Sequence, residues 1–401
     1  MKTLANSPIF YLLFPVYFSL ALLIIFFNIP DGFYLSLFLL YFVLTPIVLV
    51  GKFLFSVKMQ MDRNFELILK IKKHRMIMMF FVFFVVISGA LDVYVNGLKL
   101  LDPGSYAEFN GVGRYIRHVS IQCWVLVPIA FIYFGSSKFK ILLIGYALIF
   151  PVIILDRNRL FTSFYALALC LVLTPSSSSY NNALMGSPKR RLVILILSVF
   201  LIFSVMGFFR SGADAFVIET SGDVLGEEQL PLREIFYYLP SLFQQVILYI
   251  TTPLFNFATI VYYDFINQDF LLSQLAPFSR DLFDLYPYAP VLVQRFNVGT
   301  EFYPFLLYGG VSFVVLSVAF LVLAFFASCL LFKTFPNIFT FLIFIKISYS
   351  VLFMGFAPQF YILLNFAFIL LMMILWLGSE VLYSALRCST REKEEVSLEK
   401  A

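Results

Sequence analysis

The 401 residues are 61% hydrophobic and 13% charged, with mean hydropathy +0.93 and a net charge of +5. A soluble core of this length could not hide so much apolar surface, so a water-soluble enzyme is excluded and an all-α integral membrane protein is expected. The cysteines Cys123, Cys170, Cys329 and Cys388 are isolated, and neither a disulfide framework nor a CxxC metal site is available.

Crossing roughly 30 Å of hydrocarbon as helix takes about 17 to 25 apolar residues. In chain order the runs that fit are Ile9 to Phe27, Phe33 to Val50, Met76 to Val95, Ser120 to Gly135, Ile141 to Leu155, Leu160 to Thr174, Leu192 to Phe209, Pro304 to Phe332, Ile338 to Met354 and Gln359 to Leu377. About ten transmembrane helices in one polytopic domain over residues 1–401 are therefore expected. The first run is too long for a signal-peptide core and lacks an A-x-A cleavage pattern, so it reads as a retained helix. Residues 210–303 form one large loop, and residues 378–401 form a tail. Within the loop, Leu239 to Tyr263 is apolar but interrupted by Gln244, Gln245, Thr251, Thr252, Pro253 and Asn256. A full crossing there would put the basic tail outside, so the expectation is a re-entrant or interfacial helix pair broken near Pro253, buried in protein or lining a wet cavity.

With the N-terminus inside, Lys2, Lys52, Lys58, Arg63, Lys70, Lys72, Lys73, Arg75, Lys138, Lys140, Lys189, Arg190, Arg191, Lys333, Arg387, Arg391, Lys393 and Lys400 face the cytoplasm. That obeys the positive-inside rule. The outside receives Lys99, Arg114, Arg117, Arg157, Arg159, Arg210, Arg233, Arg280 and Arg295, so eight of nine external cations are arginine. Arginine offers a planar fork of donors suited to two-point contact with phosphate, whereas lysine is a hydrated point charge. Arg157 and Arg159 lie in a connection so short that they are expected at the membrane surface, at the depth of a lipid pyrophosphate, with Asp156 orienting one of them. Arg210 follows the seventh run directly. Arg280 and Arg295 flank Asp281, Asp284, Tyr286 and Tyr288, a mixture that suits a sugar-phosphate ligand. Lys346 sits deep in its run, either paired or functional. His118, beside Arg117 at a helix start, reads as structural.

No Asp-x-Asp, H-E-x-x-H, P-loop or G-x-S-x-G occurs, and no metal or other cofactor is expected. The layout of about ten helices with a large external loop ahead of the last three, Arg157/Arg159 at a helix mouth, and Gly299-Thr300-Glu301-Phe302-Tyr303-Pro304 leading to Gly309-Gly310 together resemble the Wzy family of O-antigen or oligosaccharide repeat-unit polymerases. The Arg-x10-Gly spacing of some members occurs at no external arginine. The resemblance implies a GT-C-like membrane glycosyltransferase of the bacterial inner membrane, with cytoplasmic termini and a periplasmic loop. Its partners would be undecaprenyl-pyrophosphate-linked glycans, membrane lipid and a chain-length regulator protein, with no nucleic acid. In that setting Arg157, Arg159 and Arg210 would hold one pyrophosphate and Arg280 and Arg295 the second. Tyr286 and Tyr303 would contact sugar, and Asp281 or Glu301 would be the base. A flippase for the same lipid is the alternative. A membrane acyltransferase fits less well, since neither His74 nor His118 lies within an apolar run.

Overall fold

The computed structural model describes residues 6–55, 59–105, 111–135, 137–174, 232–275 and 299–398, together with 197–198, 202 and 205–206. All regular elements among them are helical. Seven helical stretches are long and apolar enough to cross a membrane, and Ile338–Phe353 is a shorter apolar helix.

Helix α1 (Pro8–Phe26) begins with proline at its first position, where the missing N–H costs nothing, and returns as α2 (Phe33–Phe55). The two are antiparallel, with the Tyr41 hydroxyl donating to the Val16 carbonyl at 2.8 Å. The end of the bundle that carries Phe26 and Phe33 is called upper here, and the opposite end lower. At the lower end α3 (Met61–Ile71) is an amphipathic helix within what reads in the sequence as a loop. Its buried residues Met61, Asn64, Phe65 and Ile68 follow helical spacing and face the bundle.

Helix α4 (Arg75–Asn96) climbs to the upper end. Gly89 makes room for α7: a Cβ there would collide with the Tyr146 hydroxyl. After α4 the chain crosses the top in α5 (Gly113–Ser120) and descends through a 3-10 segment (Ile121–Val125) and α6 (Leu126–Tyr133). The hairpin of α7 (Lys138–Ile153) and α8 (Arg157–Leu173) follows. At 1.5 Å per residue these helices are only about 24 to 26 Å long, short of a full hydrocarbon thickness.

A four-residue turn of helix, α9 (Glu234–Tyr237), leads into α10 (Ser241–Tyr263). The expected break near Pro253 is absent, and α10 is one continuous helix. Ahead of the proline, Thr251 and Thr252 bond back along the helix, donating to the carbonyls of Ile247 and Leu248 at 2.7 and 2.6 Å. Although α10 is long enough to cross, both its flanks meet the upper end. Phe236 packs on Phe26 at 6.1 Å between ring centroids, and Tyr262 packs on Phe33 at 4.8 Å. It therefore lies obliquely in the upper half.

Helix α11 (Gln268–Leu275) packs on α12 (Tyr303–Thr334), whose first two turns are set off by non-helical Gly309 and Gly310. Helix α13 (Ile338–Phe353) starts with a capping box, Asn337 with Thr340, and α14 (Leu363–Leu398) returns to the lower end. From Ile338 to Val351 every residue of α13 is buried, so it is the axis around which α1, α6, α8, α12 and α14 pack.

Candidate functional site

The turn between α7 and α8 is tight. Leu155 adopts φ +54°, the Asp156 amide donates to the Pro151 carbonyl at 2.8 Å, and the Asp156 carboxylate caps α8 by accepting from the Arg159 amide at 3.0 Å. The Tyr349 hydroxyl donates to the Asn158 carbonyl at 3.0 Å, which places the first turn of α8 beside α13. The residue just past α13, Gly355, lies against Pro15 and Ser19 in the middle of α1. Seven residues separate Ser19 from Phe26, about 10 Å of helix, so the turn after α13 lies roughly that much below the end of α1. Asn158 is exposed at the turn between α7 and α8, with Arg157 and Arg159 half-buried beside it. That turn is also fastened by the Leu100 amide, which donates to the Ile153 carbonyl at 3.0 Å.

Two residues apart on a helix, Arg157 and Arg159 point to different sides. The Arg157 guanidinium carbon lies 5.1 Å from the centre of the Tyr249 ring on α10. The Arg159 side chain is only 14% exposed, with Nε 3.7 Å from Asp156 Oδ2 and no hydrogen-bond partner for Nε among the described residues. Deeper on the same side is Lys346 of α13, 1% exposed, with Nζ 5.9 Å from the centre of the Trp124 ring. The charged neighbours of Lys346 are Arg159 and Asp156. Around them sit Trp124, whose indole N–H donates to Gln122 Oε1 at 3.1 Å, and Tyr165, hydrogen-bonded to the Ser348 hydroxyl at 2.7 Å. A buried ammonium and a half-buried guanidinium thus have as their neighbour one carboxylate that is already engaged in capping a helix. The set carries net positive charge in a low-dielectric surround, which favours an anion.

Of the other residues expected to bind or react, Glu301 and Tyr303 are described and both are buried. Glu301, 0% exposed, accepts backbone N–H bonds from Gln359, Phe360 and Tyr361 at 2.6 to 3.0 Å, and both carboxylate oxygens are engaged. Its own amide donates to the Met354 carbonyl at 2.8 Å. Glu301 therefore joins the start of α12 to the turn between α13 and α14. Tyr303 stacks edge-on to Phe270 at 6.1 Å, inside the helix packing. Arg210, Arg280, Asp281, Tyr286 and Arg295 lie outside the described residues. Met206, four residues before Arg210, packs with Leu155, Leu160 and Phe164 beside the arginine turn.

Sequence reading missed Asp92. It is 0% exposed in α4 and accepts from Arg117 Nε at 2.6 Å, from the Ser120 hydroxyl and from Asn96 Nδ2 at 2.7 Å. Asn96 Nδ2 also donates to the Gly113 carbonyl at 3.1 Å. The signal was present as a single carboxylate inside an apolar run. Its partners assign it to architecture: it fastens α5 across the top of α4.

At the lower end a cleft of about 430 Å³ is lined by Ile68, Lys73, Phe335, Ile338, Trp376 and Glu380. The Lys73 ammonium pairs with Glu380 at 2.6 Å, and His74 Nε2 is 3.5 Å from the same carboxylate. Burial, then the Lys73 charge, lowers the His74 pKa to about 4, against the opposing pull of Glu380, so the imidazole is neutral near pH 7. This cleft is at the far end from the arginine turn. Among the described residues no group of three His, Cys, Asp or Glu side chains could hold a metal ion. Comparison of the chain with family models, with curated proteins and with solved structures returns no match.

Proposed function

We propose that this chain is a metal-independent membrane glycosyltransferase that polymerises undecaprenyl-pyrophosphate-linked oligosaccharide repeat units at the periplasmic face of the bacterial inner membrane. The observation that carries the reading is the cationic set in which Arg159 and Asp156 are the charged neighbours of the buried Lys346. In the reaction, an acceptor hydroxyl at the non-reducing end of one lipid-linked unit attacks the anomeric carbon of the growing chain. The bond from that carbon to the pyrophosphate oxygen breaks, and undecaprenyl pyrophosphate leaves with the bonding electrons. Fixed guanidinium groups stabilise the charge that grows on that oxygen more in the transition state than in the ground state, which is what acceleration requires.

The acceptor proton passes to a carboxylate. Of the two expected bases, Glu301 has both oxygens taken by backbone N–H groups, so the role falls to Asp281. Arg210, Arg280 and Arg295 are the remaining arginines assigned to the two pyrophosphates, and Tyr286 is assigned to sugar stacking. Tyr303, packed in the interior, is removed from the sugar-contacting set.

The flippase reading draws support from one observation: charge buried within the bundle suits a lipid head group in transit as well as one held for chemistry. Deleting the gene in its host and complementing it separates the two. Wild type should restore a lipopolysaccharide ladder, and Arg159→Ala should leave only core plus one repeat unit. If deletion removes even the single unit, the flippase reading replaces this one; if deletion leaves the ladder intact, both readings fail.

A further inference from the structure

Lys346 belongs to the cationic set above, yet the steps written there give it no contact of its own. It lies about 12 Å from the start of α13, on the fully buried helix of the bundle, where a charge is expensive unless something compensates it. Among the described residues its ammonium makes no hydrogen bond and no ion pair, and it faces the Trp124 ring at 5.9 Å. Asp156, the near carboxylate, is committed to the Arg159 amide and lies 3.7 Å from Arg159 Nε. Arg159 Nε is itself buried and without a hydrogen-bond partner among the described residues. Two features therefore point the same way: a buried ammonium and a guanidinium Nε, neither of which makes a hydrogen bond among the described residues, with Asp156 the one carboxylate near them and already engaged in capping α8. A second oxyanion would satisfy both.

We propose that Lys346 and Arg159 are the two arms of a phosphate-binding site in the interior of the bundle, and that Lys346 is a substrate-binding residue for the pyrophosphate of a lipid-linked glycan. The choice of carrier lipid rests on the polymerase reading; the anion chemistry does not. The Arg159 fork would take one phosphate in two-point contact from the α8 side. The Lys346 ammonium would take it, or its neighbour across the pyrophosphate bridge, from the α13 side. The Tyr349 hydroxyl, donating to the Asn158 carbonyl, would hold the two helices at the separation this needs. This makes Lys346 the residue that draws the head group into the bundle, where the surround is dry enough for charge stabilisation to be strong.

The two tryptophans of the chain supply a test, because Trp124 adjoins Lys346 while Trp376 lines the lower cleft. Full-length protein carrying Trp376→Phe, in phosphatidylcholine nanodiscs, is titrated with undecaprenyl pyrophosphate, with inorganic pyrophosphate and with uncharged undecaprenol, following Trp124 emission. A saturable change with both pyrophosphates and none with undecaprenol is expected. Lys346→Met should weaken both by at least about tenfold and Lys346→Arg far less, the loss typical of one charged hydrogen bond. The apo Lys346→Met protein should melt no lower than its parent, because an uncompensated buried cation has been removed. A purely structural lysine gives the opposite pattern: Lys346→Met binds like the parent, or it melts lower by the same amount as Asp156→Asn with nothing further lost in the double variant. Either result overturns the proposal. Binding of inorganic but not lipid-linked pyrophosphate overturns the carrier assignment. Should Lys346→Met not give monodisperse protein, Arg159→Gln and Lys346→Arg decide by the same titration. A failed ladder test with Lys346-dependent binding intact removes the polymerase reading alone, whereas a normal ladder and normal binding in Lys346→Met remove only the Lys346 site.

Discussion

Asp92 and Glu301 are buried carboxylates that solve the same problem differently, and the difference predicts how each responds to substitution. Asp92 is neutralised by a side-chain cation, Arg117, with Ser120 and Asn96 filling the remaining positions. Removing one partner of such a pair leaves a buried charge, so Asp92→Asn should destabilise by about 3–5 kcal/mol. The double change Asp92→Leu with Arg117→Met should recover most of that loss, because the uncompensated charge is gone. Thermal melting in detergent measures both, and a double variant as weak as the single would show that the pair itself is not what matters. Glu301 is held by backbone N–H groups alone. Glu301→Gln keeps the shape but sets an NH2 group against N–H donors, leaving about one donor unsatisfied at about 1–3 kcal/mol. The expected outcome is a lower melting temperature together with faster proteolysis in the turn at 354–362. A variant that melts normally yet makes no polymer would return Glu301 to the chemistry.

At the scale of elements, helix existence was legible in the sequence and helix placement was not. The long apolar runs became α1, α2, α4, α12 and α14 because each is apolar over the length a membrane demands. The 16 and 17 residues of α7 and α8 already stood at the short end of that range, yet nothing in one sequence says that their turn is fastened beside Tyr349. That depends on partners remote in sequence. The amphipathic α3 was hidden by its charged residues Asp62, Arg63, Glu66 and Lys70, while Met61, Asn64, Phe65 and Ile68 carry the spacing. Pro253 was read as a breaker because the proline rule is local, whereas α10 runs through it, packed against α1, α2 and α12. By contrast Gly309-Gly310 does interrupt α12, with Gly310 at φ +69° and ψ −155°, a conformation essentially confined to glycine. Gly310→Ala should therefore destabilise by about 1–3 kcal/mol, from backbone strain alone, since a Cβ there meets open space, whereas one at Gly309 would meet the Phe313 ring. A Gly310→Ala variant that melts with its parent would mean that the kink is not held where it is described.

For the whole molecule the decisive element is α10, because its path sets which side of the membrane every later helix begins on. By length and composition it qualifies as a crossing. Its neighbours argue otherwise. Arg233 donates from its amide to the Phe26 carbonyl at 2.9 Å, Phe255 packs on Phe33 at 5.3 Å, and Asn267 donates to the Leu307 carbonyl at 2.8 Å near the start of α12. Each of these partners belongs to the upper end. A helix entering and leaving on one side adds no crossing, so the lysine-bearing lower end stays on one face and the basic tail joins it. That is the arrangement the positive-inside rule favours. It also keeps Tyr249 against Arg157, so α10 lines the Arg157 side of the turn between α7 and α8. Alkaline phosphatase fused after residue 238 and after residue 266 should be active at both junctions, and green fluorescent protein at the C-terminus should be fluorescent. Inactive phosphatase at 266 beside active phosphatase at 238 would mean that α10 crosses, and the tail would then lie outside.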